Sequence, residues 1–118
     1  MERPEYKNHP LWAEAIAITQ DAYALAAKVR PADPAVARLL RRAAVAIPAH
    51  VAGALTSDDD ARRDHVVTAR GALAEVSRQA ERAEGAGERE AAEALARRAG
   101  ALDRAVSFEL GDARGAVS

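Results

Sequence analysis

From Leu11 to Leu110 the apolar residues of this chain return at steps of three and four, in four blocks separated by proline, glycine and aspartate. That spacing is the one an amphipathic helix needs. The first block carries two adjacent rows, Leu11, Ala15, Ile18, Ala22, Leu25, Val29 and Trp12, Ile16, Thr19, Tyr23, Ala26. Together they make a stripe wider than a two-stranded coiled-coil seam. Pro10 suits a first helical turn with Asn8 or His9 as cap, so helix one is expected over 10–30, behind a polar arm at 1–9. Asp33 and Pro34 then signal a second start, as cap and first helical residue. Helix two carries Val36, Leu40, Ala43, Ile47, Val51 and Leu55 on one face. Pro48 lies inside this pattern, where it removes one backbone hydrogen bond and costs about 3 kcal/mol in an isolated helix. A bent helix ending near Leu55 is expected, with neighbouring packing that tolerates the proline.

Thr56-Ser57-Asp58-Asp59-Asp60 is the third start signal, with Ser57 and Asp60 spaced as a capping box and three acids complementing the helix dipole. Helix three presents His65, Ala69, Ala72, Val76, Ala80 and Ala83, with Val66 and Leu73 alongside. Gly71 in its middle costs about 1 kcal/mol relative to alanine, which points to a close helix crossing there. Gly85-Ala86-Gly87 is expected to end the helix by supplying positive φ. Helix four starts near Glu88 and repeats Ala92, Leu95, Ala99, Leu102, Val106 and Leu110, with Glu93 and Arg97 as a pair on its solvated face. Gly111 stops it, and 112–118 reads as a tail. Four helices with short connections predict an all-α, antiparallel up-down four-helix bundle over 10–111.

Alanine supplies 32 of the 118 residues, and only 26 are larger apolar or aromatic types. Such a core is thin, because each alanine buries little area. Packing against copies of the same chain is the expected remedy. Cysteine is absent, which removes disulfides, thiolate metal sites and cysteine nucleophiles. No run approaches the 18 apolar residues of a membrane span, and Met1–Glu5 lacks the apolar segment of a secretory signal, so a cytoplasmic protein without a membrane role is expected. The net charge of −1 leaves any nucleic-acid role to local patches.

Three segments carry a resemblance: Leu11-Trp12 at the head of helix one, Leu40-Arg41-Arg42-Ala43-Ala44-Val45-Ala46-Ile47-Pro48-Ala49-His50-Val51-Ala52-Gly53-Ala54, and Ala69-Arg70-Gly71-Ala72-Leu73-Ala74-Glu75-Val76. The chain resembles, as a divergent member, the bacterial four helix bundle protein family. That family includes the proteins encoded in 23S ribosomal RNA intervening sequences and is related to the accessory variability determinants of diversity-generating retroelements. The likeness covers roughly 10–84 and rests on Trp12, Pro48, Gly71 and Glu75. The family's Ser, Asn, Glu and final Gly of the proline motif are replaced here by Ala46, His50, Gly53 and Ala54. The resemblance implies a ring-shaped homopentamer without enzymatic activity. From the retroelement relatives it implies binding of a reverse transcriptase and RNA through basic surface.

Neither a nucleophilic triad nor a phosphate-cradling glycine loop is present, and no Glu stands three before any of the three His as in di-iron bundles. No catalytic residue and no cofactor is assigned. His50 and His65 lie almost equidistant from the turn near Ser57, so antiparallel helices place them in one layer. Two imidazoles need further ligands to hold zinc or another borderline metal. Asp64, the one acid adjacent in sequence, is expected to point elsewhere. A hydrogen-bonded or interface pair is therefore the favoured reading, one that would charge and loosen near pH 6. Arg38, Arg41, Arg42, Arg62, Arg63 and Arg70 are the candidates for a phosphate-binding patch, repeated around a ring of subunits. Intersubunit salt bridges to Asp58–Asp60 or Glu75 are the competing reading. The function expected is a non-catalytic, self-assembling scaffold that engages RNA or an RNA-handling enzyme. The alternative is a protein–protein interaction or structural module with no nucleic-acid role.

Overall fold

The structure, a computed structural model, describes residues 5–111. The extremes of the arm and the tail at 112–118 lie outside the described residues. Every described element is helical: a 3₁₀ turn at Tyr6–Asn8, α1 (Pro10–Val29), α2 (Pro34–Thr56), α3 (Asp59–Glu84), α4 (Arg89–Val106) and a wider π turn at Ser107–Gly111. Helices adjacent in sequence pack side by side, and α4 returns against α1. Pairs such as Thr19 with Ala44, His50 with His65 and Arg70 with Asp103 are symmetric about the intervening turns, as antiparallel neighbours require. The chain is therefore an all-α four-helix bundle, with principal extents of 49 × 32 × 19 Å.

Two of the helix starts use the expected residues. The His9 ring accepts from the Leu11 N–H through Nδ1 at 3.1 Å, ahead of Pro10. The Asp33 carboxylate accepts from the Val36 N–H at 3.2 Å, ahead of Pro34. The third start departs from the capping box. Asp58, not Ser57, is the cap residue of α3, and its side chain makes no capping bond. Arg62 acts there instead, its Nε–H shared between the Ala54 and Ser57 carbonyls at 3.1 Å each. It thereby serves two carbonyls at the end of α2 that have no helical donor. Gly85 ends α3 in ordinary helical geometry at φ −67°, and of these two glycines only Gly87, at φ +96°, has the positive φ expected. On α4, Glu93 pairs with Arg89 at 3.6 Å rather than with Arg97.

The core follows the expected rows. The first α1 row is buried throughout, whereas in the second row Trp12, Ile16 and Thr19 are half-buried and Tyr23 is exposed. Ile18, Leu40, Ile47 and Leu73 are the largest fully buried side chains, alanine is the commonest core residue, and no aromatic ring is buried among the described residues. Pro48 leaves α2 continuous. The carbonyl it orphans, that of Ala44, accepts from the Thr19 hydroxyl of α1 at 3.2 Å, while the same hydroxyl lies 2.9 Å from the Ala15 carbonyl. This is how the packing tolerates the proline. Gly71 corrects the sequence reading: it is exposed, and a Cβ there would meet nothing within 4 Å. The close approach is at Gly53, where a Cβ would fall 2.5–2.6 Å from three atoms of the His65 ring.

Candidate functional site

The turn between α2 and α3 brings His50 and His65 together. Their Nδ1 atoms are 3.0 Å apart and their ring centroids 5.2 Å, with the planes tilted by 44°. Both side chains are half-buried. Such a contact between imidazoles requires one Nδ1–H donor and one bare Nδ1 acceptor. Gly53 makes it possible, since its missing side chain is the seat of the His65 ring. Sequence reasoning missed Gly53, although a helix-interior glycine one turn from His50 was a signal. No third His, Cys, Asp or Glu joins the pair among the described residues.

The six candidate arginines fall into different environments. Arg62 closes the end of α2, Arg63 pairs with Asp60 at 3.2 Å, and Arg70 pairs with Asp103 of α4 at 2.8 Å. Asp103 holds the Arg70 guanidinium above its ordinary pKa, first through the hydrogen bond and then through its charge. Arg41 lies over the Tyr23 ring, 5.0 Å from its centroid. Arg38 is exposed on α2, one turn before Arg42. Arg42 borders a shallow groove of about 340 Å³ between α2 and α3, lined also by Leu39, Ala43, Ala46, Ala72 and Glu75. Glu75 accepts from Gln79 Nε2 at 2.7 Å and from Arg78. These bonds, Gln79's first and Arg78's second, hold its carboxyl below the ordinary carboxylate range. The Gln79 Oε1 is buried without a hydrogen-bond partner among the described residues.

A second surface is apolar. Trp12, packed edge-on against Tyr6 at 5.6 Å, begins the half-buried row of α1 that ends at Tyr23. Beside it on α2, Val45 is 58% exposed, one turn beyond Arg41. Val67 on α3 and Phe108 in the π turn are 63% and 90% exposed. Among the described residues no helix is long and apolar enough to cross a membrane. Searches of protein-family models, of curated proteins and of solved structures each found no match to this chain.

Proposed function

We propose that this chain is a non-catalytic, self-assembling four-helix scaffold whose outer surface is its working part. The observation that carries this reading is the half-buried row of α1 that ends at the exposed Tyr23, with the exposed Val45 of α2. Tyr23 on α1 is 37% exposed and Val45 on α2 58% exposed, on a bundle in which 11 of the 25 buried apolar residues described are alanine. A second copy laid on that face adds the apolar area that alanine cannot supply. Five subunits, and RNA or a reverse transcriptase as partner, rest on the resemblance to the four helix bundle family and belong to the proposal with it. Light scattering coupled to size exclusion at micromolar concentration tests assembly. The expected particle is near five times the 12.5 kDa chain mass, and Tyr23→Glu with Val45→Glu reduces it to single chains. A wild-type particle of 12.5 kDa overturns the reading.

A protein–protein module without a nucleic-acid role is the second reading. It is favoured by the intramolecular engagement of Arg62, Arg63 and Arg70, which among the six candidates leaves Arg38 and Arg42 to meet phosphate. Filter binding of structured RNA at about 50 and 200 mM salt separates the two, because phosphate contacts lose affinity steeply with salt. No retention at the lower salt favours the protein–protein module.

A further inference from the structure

The three histidines of the chain sit at one end of the bundle. Thr19 of α1 meets Ala44 of α2 across antiparallel helices, so the start of α1, with His9, lies at the end where His50 and His65 meet. His9 has a task there that the scaffold reading does not use. A helix cap needs an acceptor, and here it is the bare Nδ1 of a ring, 3.1 Å from the Leu11 N–H. The usual cap residues, Ser, Thr, Asp and Asn, remain acceptors through the neutral and mildly acid range. An imidazole does not, because its acceptor nitrogen is the one that takes the proton. We infer that His9 is an acid-released latch, in which protonation of Nδ1 frees the first turn of α1 and the 3₁₀ turn Tyr6–Asn8 tied to it.

The latch joins both sides of the cap. The His9 N–H donates to the Tyr6 carbonyl at 3.0 Å, its carbonyl accepts from the Trp12 and Ala13 N–H groups at 3.1 Å each, and Tyr6 packs edge-on against Trp12. A proton on Nδ1 sets donor against donor at Leu11 and puts a positive charge where the helix dipole opposes one. No acid stands in the first turn of α1 to hold that charge. The turn Tyr6–Asn8 packs on α1 and α2. On α2 the only titratable residue from Ala43 to Ser57 is His50, and on α1 the nearest acid, Glu14, is engaged by Arg98. Beside His9 in the chain, Lys7 adds a like charge, and Glu5 is exposed and makes no capping bond. The capped state therefore binds one proton fewer than the released one, so the latch holds at neutral pH and is lost as the pH falls. The His50–His65 pair responds differently. Its first proton goes to the outer Nε2 of the donor ring and leaves the Nδ1–H to Nδ1 bond in place; only a second breaks it. His9 loses its contact on the first.

Trp12 is the one tryptophan of the chain, so its fluorescence reads the latch. The test is titration of the full chain from about pH 8 to 5, the range in which an imidazole changes charge, at two protein concentrations. Trp12 emission, hydrogen-exchange protection of the Leu11 amide and the nuclear magnetic resonance of the His9 ring nitrogens are followed together. At the upper pH His9 is expected as its Nε2–H tautomer. On acidification Leu11 protection, corrected for the intrinsic exchange rate, falls about tenfold, the combined loss of a cap and gain of an opposed charge. Trp12 emission moves to the red, reversibly and equally at both concentrations, which separates the latch from subunit assembly. His9→Asn caps without titrating and is flat across the range. His9→Ala is unprotected and red-shifted throughout. An Nδ1–H tautomer at the upper pH, a response seen at only one concentration, or a His9→Asn protein that responds as wild type does, overturns the inference. The tautomer is read on the wild-type chain, so it decides even where a variant fails to fold.

Discussion

Pro48 has no N–H, so the carbonyl of Ala44, four residues earlier, has no donor within α2. Ala44 is fully buried, which removes water as a substitute. Its donor is the Thr19 hydroxyl at 3.2 Å, whose single proton is shared with the Ala15 carbonyl at 2.9 Å. Thr19→Val keeps the shape of the side chain and deletes that proton. A buried acceptor left unsatisfied costs about 1–3 kcal/mol, and the shared bond puts this case near the lower end, at about 1–1.5 kcal/mol. With an unfolding entropy near 2.1 cal/mol/K per residue, that lowers the Tm of a chain this size by about 4–6 °C. Thermal and urea unfolding followed by circular dichroism, at one fixed protein concentration, reads the change. The decisive comparison is a double-mutant cycle with Pro48→Ala, which gives Ala44 an ordinary helical donor. In that background Thr19→Val costs only a few tenths of a kcal/mol, a coupling of about 1 kcal/mol. An equal cost with and without the proline refutes the account, as does a Thr19→Val protein as stable as wild type.

Gly71→Ala, at an exposed helical site with open space, raises stability by about 0.5–1 kcal/mol in urea unfolding; a loss would restore the close crossing that its position in the sequence implies. Glu75 contributes stability through a carboxyl whose folded pKa is lowered by Gln79 and Arg78. That contribution is present above the ordinary carboxylate value of about 4.3 and disappears as the pH falls through the lower folded value. Glu75→Gln therefore loses stability at pH 7 and shows a shallower decline between about pH 4.5 and 2, measured by chemical unfolding across that range. Arg98 joins α4 to Glu14 and Asp21 of α1 at 2.6 and 2.7 Å, but its side chain is 42% exposed. Arg98→Met costs no more than about 1 kcal/mol, and the difference from wild type shrinks in 1 M salt, where screening is nearly complete.

What the amino-acid order determined by itself is local. The four helices, their connections, the buried row of α1 and the caps at His9 and Asp33 follow from period, proline and aspartate, because helical spacing and capping act within a few residues. Antiparallel packing also placed His50 and His65 in one layer, since only their distance from the turn was needed. Tertiary structure decided the rest. Gly53 and Gly71 are both interior helical glycines, and nothing in their local sequence says that one seats an imidazole while the other faces solvent. The partner of the Ala44 carbonyl lies 25 residues away on α1. Arg62 and Arg70 look alike as basic residues of one helix, yet one closes the end of α2 and the other reaches Asp103. Short-range preference names the element. Which atoms meet across it depends on the rotation and depth at which two helices pack, and those are properties of the assembled core.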